Sequence, residues 1–121
     1  MNYTTHNEDN AIDVNGTCLQ GYINCTYDDI TEVFGYPLEE GFDDYKSDAE
    51  WLIVFEDGTR ATIYNYKNGK NYLGADGLHL CDMEQWNVGG YNGKALELVQ
   101  DAINAKARKD YPQDQVIAFS I

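Results

Sequence analysis

The residues best suited to chemistry lie in positions 55–70, "FEDGTRATIYNYKNGK", where one of the two arginines of a strongly acidic chain sits between aromatic residues. Asp57-Gly58 is a strong hairpin signal, and a two-residue turn there would pair Phe55 with Arg60, Ile53 with Thr62 and Trp51 with Tyr64. That register predicts one sheet face carrying Trp51, Ile53, Phe55, Arg60, Thr62, Tyr64 and Tyr66. The other face, Leu52, Val54, Ala61 and Ile63, would receive a helix. A guanidinium forks onto phosphate and stacks on rings, and each aromatic ring can hold a base at about 1 to 3 kcal/mol. A nucleotide-sized ligand fits that chemistry. Arg60 could equally stack on Phe55 or pair with an acid, with the rings packed against a second subunit.

Other candidate chemistry is thinner. "GGYNGK" (89–94) is a glycine-rich turn ahead of a helix, where free N–H groups could meet an anion, but it matches neither the Walker pattern nor G-x-G-x-x-G. It is better read as an ordinary helix start. His6 and His79 have no neighbours at metal-ligand spacing, Ser47 and Ser120 lie in no nucleophile setting, and the many carboxylates are expected by chance in so acidic a chain. These residues call for no cofactor, no metal and no catalytic step.

The elements that must position these residues can be read from periodicity. Residues 11–26 place Asn15-Gly16 between two β-compatible runs and predict a first hairpin. "TYDDITEVFGYP" predicts a short helix with Thr26 or Asp28 as N-cap and Gly35 as C-cap. Residues 38–48 read as an acidic loop, 49–56 as a central strand covered on both faces, 59–66 as its antiparallel return, and 67–80 as a loop. A strand over 81–88 leads into the clearest helix, 93–109, capped by Asn92, and 115–121 predict a last strand. Residues 1–10 are polar and expected to be loose. The sum is one α+β domain: an antiparallel sheet of about five or six strands, one short helix and one long C-terminal helix.

Charge divides the chain. Residues 1–59 hold fourteen acids and one base, and residues 60–121 hold seven of each, giving the net −13. So negative a field repels nucleic acid and anionic membranes, which argues against direct DNA binding while leaving imitation of DNA open. Alternatively, the acidity only confers solubility. The three cysteines form no CxxC pair and read as buried thiols in a reducing cytoplasm, and no apolar run approaches the roughly 18 residues a membrane span needs.

In "KSDAEWLIVFEDGTRATIYNYKNGKNYLG" (46–74) and "EQWNVGG" (84–90), about a third of the chain, the sequence resembles the Thoeris anti-defence family of small phage and prophage proteins. The resemblance implies a homo-oligomer that sequesters a cyclic ADP-ribose signal, with some members also holding cyclic oligonucleotides, in pockets between subunits. It implies arginines from the sheet and from the C-terminal helix on the phosphates, here Arg60 and Arg108. It also implies a stacking ring, with Trp51, Tyr64 and Trp86 as candidates, and an assisting Asn87 or Asn92. The expected function is a sponge for a cyclic nucleotide immune signal in the cytoplasm of an infected bacterial host, acting without catalysis. The competing expectation is an acidic DNA mimic that fills the basic cleft of a nuclease or restriction enzyme.

Overall fold

A computed structural model of the chain describes residues 1–9 and 12–110, with the side chains of 108–110 excepted. Its strands are β1 (Tyr3–Thr5), β2 (Cys18–Asn24), β3 (Glu50–Phe55), β4 (Arg60–Tyr64) and β5 (Gln85–Gly90). They form one antiparallel sheet in the order β1-β3-β4-β5-β2. Helices α1 (Tyr27–Phe34) and α3 (Lys94–Asp110) complete the core, and α2 (Lys70–Leu73) is a single turn in the β4–β5 connection. The architecture is α+β, as the sequence predicts. The expected strand over 115–121 lies outside the described residues.

The β3–β4 register differs from the expected one by a single residue. Phe55 N–H donates to Thr59 O at 2.9 Å and Gly58 N–H to Phe55 O at 2.8 Å, so the loop has three residues, Glu56, Asp57 and Gly58. Only Gly58 takes a positive φ, +89°; Asp57 does not enter the left-handed region that a two-residue turn would demand of it. Pairing then runs Val54 with Arg60, Ile53 with Ala61, Leu52 with Thr62, Trp51 with Ile63 and Glu50 with Tyr64. Because side chains alternate with period two, this slip exchanges the whole face of one strand relative to the other. Trp51, Ile53 and Phe55 now share a face with Ala61 and Ile63, all five buried.

That face is the core. Trp86, Val88 and Ile23 extend it across β5 and β2, and Ile30 and Phe34 of α1 and Leu98 and Val99 of α3 close over it. In α1, Thr26 Oγ1 accepts the Asp29 N–H at 3.1 Å while the Asp29 carboxylate accepts the Thr26 N–H at 2.9 Å, a reciprocal cap that fixes the helix start. α3 sits directly on β5 because Gly90 is bare: a Cβ there would stand 2.4 Å from Ala95 Cβ.

Two further expectations are corrected. The N-terminal residues are tied down, because the Tyr3 ring packs edge-on to Phe34 and Phe55 and its hydroxyl donates to Val33 O at 2.8 Å. Asn7, also buried, donates to Phe34 O and accepts from Leu52 N–H. Asn15-Gly16 does turn the chain, with Thr17 N–H donating to Val14 O, but only the run after it becomes a strand, and that strand pairs with β5.

A buried amide joins the β3 and β4 ends. Asn65 Oδ1 accepts from the backbone N–H of Asp48 and Ala49 at 2.8 and 3.1 Å, and its Nδ2 donates to Asp48 Oδ1 and Asn68 Oδ1 at 2.8 and 3.0 Å. All four of its hydrogen-bonding positions are used. The Asp48 carboxylate in turn receives Asn71 N–H at 3.1 Å. Among the described residues, no helix is long and apolar enough to cross a membrane. Asn65→Ala should leave the Asp48 and Ala49 N–H groups without partners and take one of the two donors from the Asp48 carboxylate, costing about 2 to 4 kcal/mol in urea unfolding. A loss below about 0.5 kcal/mol would show that the amide is incidental.

Candidate functional site

Both helices that build the core lie on one side of the sheet, so the other side carries the remaining candidates. Its side chains fall into rows across the strands. One row is Glu50, Tyr64, Asn87 and Tyr22; the next is Leu52, Thr62, Gly89 and Leu19; the third holds Val54 and Arg60. Thr62 and the Tyr64 ring border bare Gly89, where a Cβ would lie 2.6 Å from Thr62 Oγ1 and 3.4 Å from Tyr64 Cε1. The rows differ in access: Leu52 and Thr62 are buried, whereas Tyr22 and Leu19 stand about half exposed.

The structure separates the residues nominated from the sequence. Trp51 and Trp86 are fully buried and meet edge-on at 5.3 Å, so neither ring offers a face to a ligand. Trp51 Nε1 donates to Gly35 O at 2.7 Å, and Trp86 Nε1 has no partner among the described residues. Arg60 is on the opposite face from Trp51 and Phe55, and its guanidinium donates to the backbone carbonyl of Asp13. Tyr91 donates to Asn15 O at 2.7 Å in the same segment. Arg60 and Tyr91 thus anchor the chain on its way from β1 at one edge to β2 at the other.

Asn92 Oδ1 accepts Lys94 N–H at 2.9 Å at the start of α3, so this side chain is spent on capping. The neighbouring glycines serve close packing, against Thr62 and Ala95. Arg108 is in the last turns of α3, where side chains are not described. Tyr64 and Asn87 remain as a pair that face each other across β4 and β5. Strand rise puts the Arg60 backbone about 13 Å from that of Tyr64, four residues along β4.

Beside this pair opens a cleft of about 500 Å³ lined by Tyr22, Tyr66, Asn68, Gln85 and Asn87, by Leu78 and Met83 as apolar wall, and by the acidic Asp82 and Glu84. Its size falls within the usual range for small-molecule sites, about 300 to 1,000 Å³. Sequence reading missed it because two walls come from the connection read as a plain loop. That connection instead contains α2, a 3₁₀ turn at Gly74–Asp76, another at Leu80–Asp82, and a bridge between Gly69 and Leu78. Gly69 and Gly77 permit the bridge: a Cβ on Gly77 would stand 2.2 Å from Gly69 O.

Lys67, next to Tyr66, stands over two rings, its Nζ 5.1 Å from the Tyr66 centroid and 5.4 Å from that of Tyr72. It is also the one non-glycine residue with positive φ among the described residues, at 58°. Such a conformation costs a lysine about 1 kcal/mol and persists where the surroundings enforce it. Here Lys67 N–H donates to Lys46 O at 2.7 Å, and Asn65 grips the neighbouring Asn68.

Among the described residues, no three His, Cys, Asp or Glu side chains converge as a metal site would. No family model, curated protein or solved structure matches the chain.

Glu50, at the end of the tyrosine row, is mostly buried, and desolvation, aided by the Asp43 charge, pushes its carboxyl up to about 7. The folded state therefore holds a proton that the unfolded state, with the ordinary value of 4.5, has released. Stability contributed by this group is present below about pH 4.5 and is lost as pH rises to about 7. Glu50→Gln should be progressively more stable than the parent over that window, by at most about 3 kcal/mol at pH 8. A difference in unfolding free energy that does not vary between pH 4.5 and 8 would contradict this.

Proposed function

We propose that the protein is a phage-type anti-defence protein that binds and sequesters a cyclic nucleotide signal without cleaving it, and that the signal lies on the helix-free face of the sheet. The observation that carries this reading is the Tyr64–Asn87–Tyr22 row opening onto the 500 Å³ cleft. Exposed tyrosine rings accept any base by stacking, and the carboxamides of Asn87, Gln85 and Asn68 offer donors and acceptors to a base edge or ribose hydroxyls. The ligand-binding residues of this reading are Tyr22, Tyr66 and Asn87, supported by Tyr64.

Arg60 acts on the fold, through Asp13, and Trp51 and Trp86 act through the core. Leu19, Tyr22, Tyr66 and Leu78 leave apolar surface around the cleft, which suits a homo-oligomer whose second copy covers the bound ligand. Burial between subunits would strengthen each polar contact by excluding water.

The test is calorimetry of the protein against cyclic dinucleotides, cyclic trinucleotides and cyclic ADP-ribose isomers, with the ligand recovered afterwards and analysed intact. At least one member should bind below about 10 μM, near −7 kcal/mol, and Tyr22→Ala or Asn87→Ala should weaken it at least tenfold. Absence of any such binder, or recovery of a cleaved product, would overturn the reading.

The second reading, a DNA mimic, is favoured by one observation: Glu39, Glu40, Asp43 and Asp44 are all exposed on the acidic half of the chain. Glu39→Gln, Glu40→Gln and Asp44→Asn together should abolish inhibition of a nuclease by a mimic while leaving nucleotide binding intact.

A further inference from the structure

We propose that Lys67 is the phosphate contact of the tyrosine-lined cleft, so that the ligand is an anionic nucleotide whose charged group lies at the Tyr66 rim. This rests on the binding function proposed above and relocates its electrostatic anchor from Arg60 to a residue that sequence patterning passes over.

Three independent features converge on Lys67. The first is position: Tyr66 is both a wall of the cleft and one of the two rings beneath the Lys67 ammonium, so the cation stands beside a wall of the cleft, though Lys67 itself does not line it. The second is electrostatic. Asp82 and Glu84 line the cleft and oppose a phosphate beside them, which leaves the Tyr66 side as the place for the anion. Among the described residues, no carboxylate forms an ion pair with Lys67.

The third feature is the backbone. A left-handed position is filled more easily by Gly or Asn than by Lys, yet this one holds a lysine, fixed by the Lys46 carbonyl and the Asn65 network. The two rings then confine the ammonium where a flexible lysine on a regular strand would wander. A cation held in one place over a wall ring of an aromatic cleft is prearranged for an anion that enters base first.

The test uses Lys67→Asn, a side chain that tolerates positive φ and removes the charge, against cyclic di-AMP and cyclic ADP-ribose. Lys67→Asn should keep or raise the melting temperature, weaken binding of whichever probe the parent holds by at least tenfold, and flatten the dependence of log K on log salt. Lys67→Arg should retain binding. Arg60→Ala should bind within threefold of the parent while melting lower, since it loses its hold on Asp13. Binding by Lys67→Asn within threefold of the parent, or an unchanged salt slope, overturns the assignment while leaving the proposed function standing. If the parent binds neither probe nor any other member of the nucleotide panel, both fall together.

Discussion

The three-residue turn at Glu56, Asp57 and Gly58 is the constraint on which the rest of the structure depends. Its two hydrogen bonds, Phe55 N–H to Thr59 O and Gly58 N–H to Phe55 O, fix which residues of β3 oppose which of β4. One face of the hairpin then becomes continuous hydrocarbon and indole, which α1 and α3 can cover; the other keeps Glu50, Thr62, Tyr64 and Arg60. A shift of one residue would mix Arg60 and Tyr64 into the Trp51 face and separate Trp51, Ile53 and Phe55 from Ala61 and Ile63. Gly58, at φ +89°, is the residue that lets the bulged turn close.

A second constraint acts at the other end of the same hairpin. Asn65 binds the segment before β3 to the segment after β4, and Asp48 passes that restraint on to Asn71 in α2. The irregular stretch that follows is thereby held as a wall, with Lys67, Tyr66 and Leu78 in set positions. The polar network and the cleft are parts of one arrangement, because the bonds that satisfy buried amides also enforce the unusual backbone of Lys67.

What the sequence made legible was whatever depends on local pattern. The capped helix at Thr26 and Gly35, the apolar run of β3, the stripe of α3 and the α+β class all follow from spacing within a few residues. Register was not legible, since Asp57-Gly58 suits a two-residue turn in isolation and only the demand to bury Trp51 with Ile63 selects the longer one. Arg60 was recognised as unusual, yet its partner, the Asp13 carbonyl, lies 47 positions away. The cleft was hidden for the same reason: Tyr22 and Tyr66 meet only once β2 docks on β5, and nothing local marks Lys67 as left-handed. Of the residues nominated for the site, Tyr64 and Asn87 are together on the open face, whereas Trp51, Trp86 and Asn92 serve core and cap.

The functional account turns on which rings face outward. The central claim is that the ligand meets tyrosines and Lys67 on the helix-free face and leaves the tryptophan core untouched. The most direct measurement is an NMR titration with the tightest-binding cyclic nucleotide, following backbone amides and both indole N–H signals. The account predicts that Tyr22, Tyr66, Lys67 and Asn87 shift while the indoles of Trp51 and Trp86 stay in place. Shifts centred on the indoles and Arg60, with the tyrosine row unmoved, would contradict it.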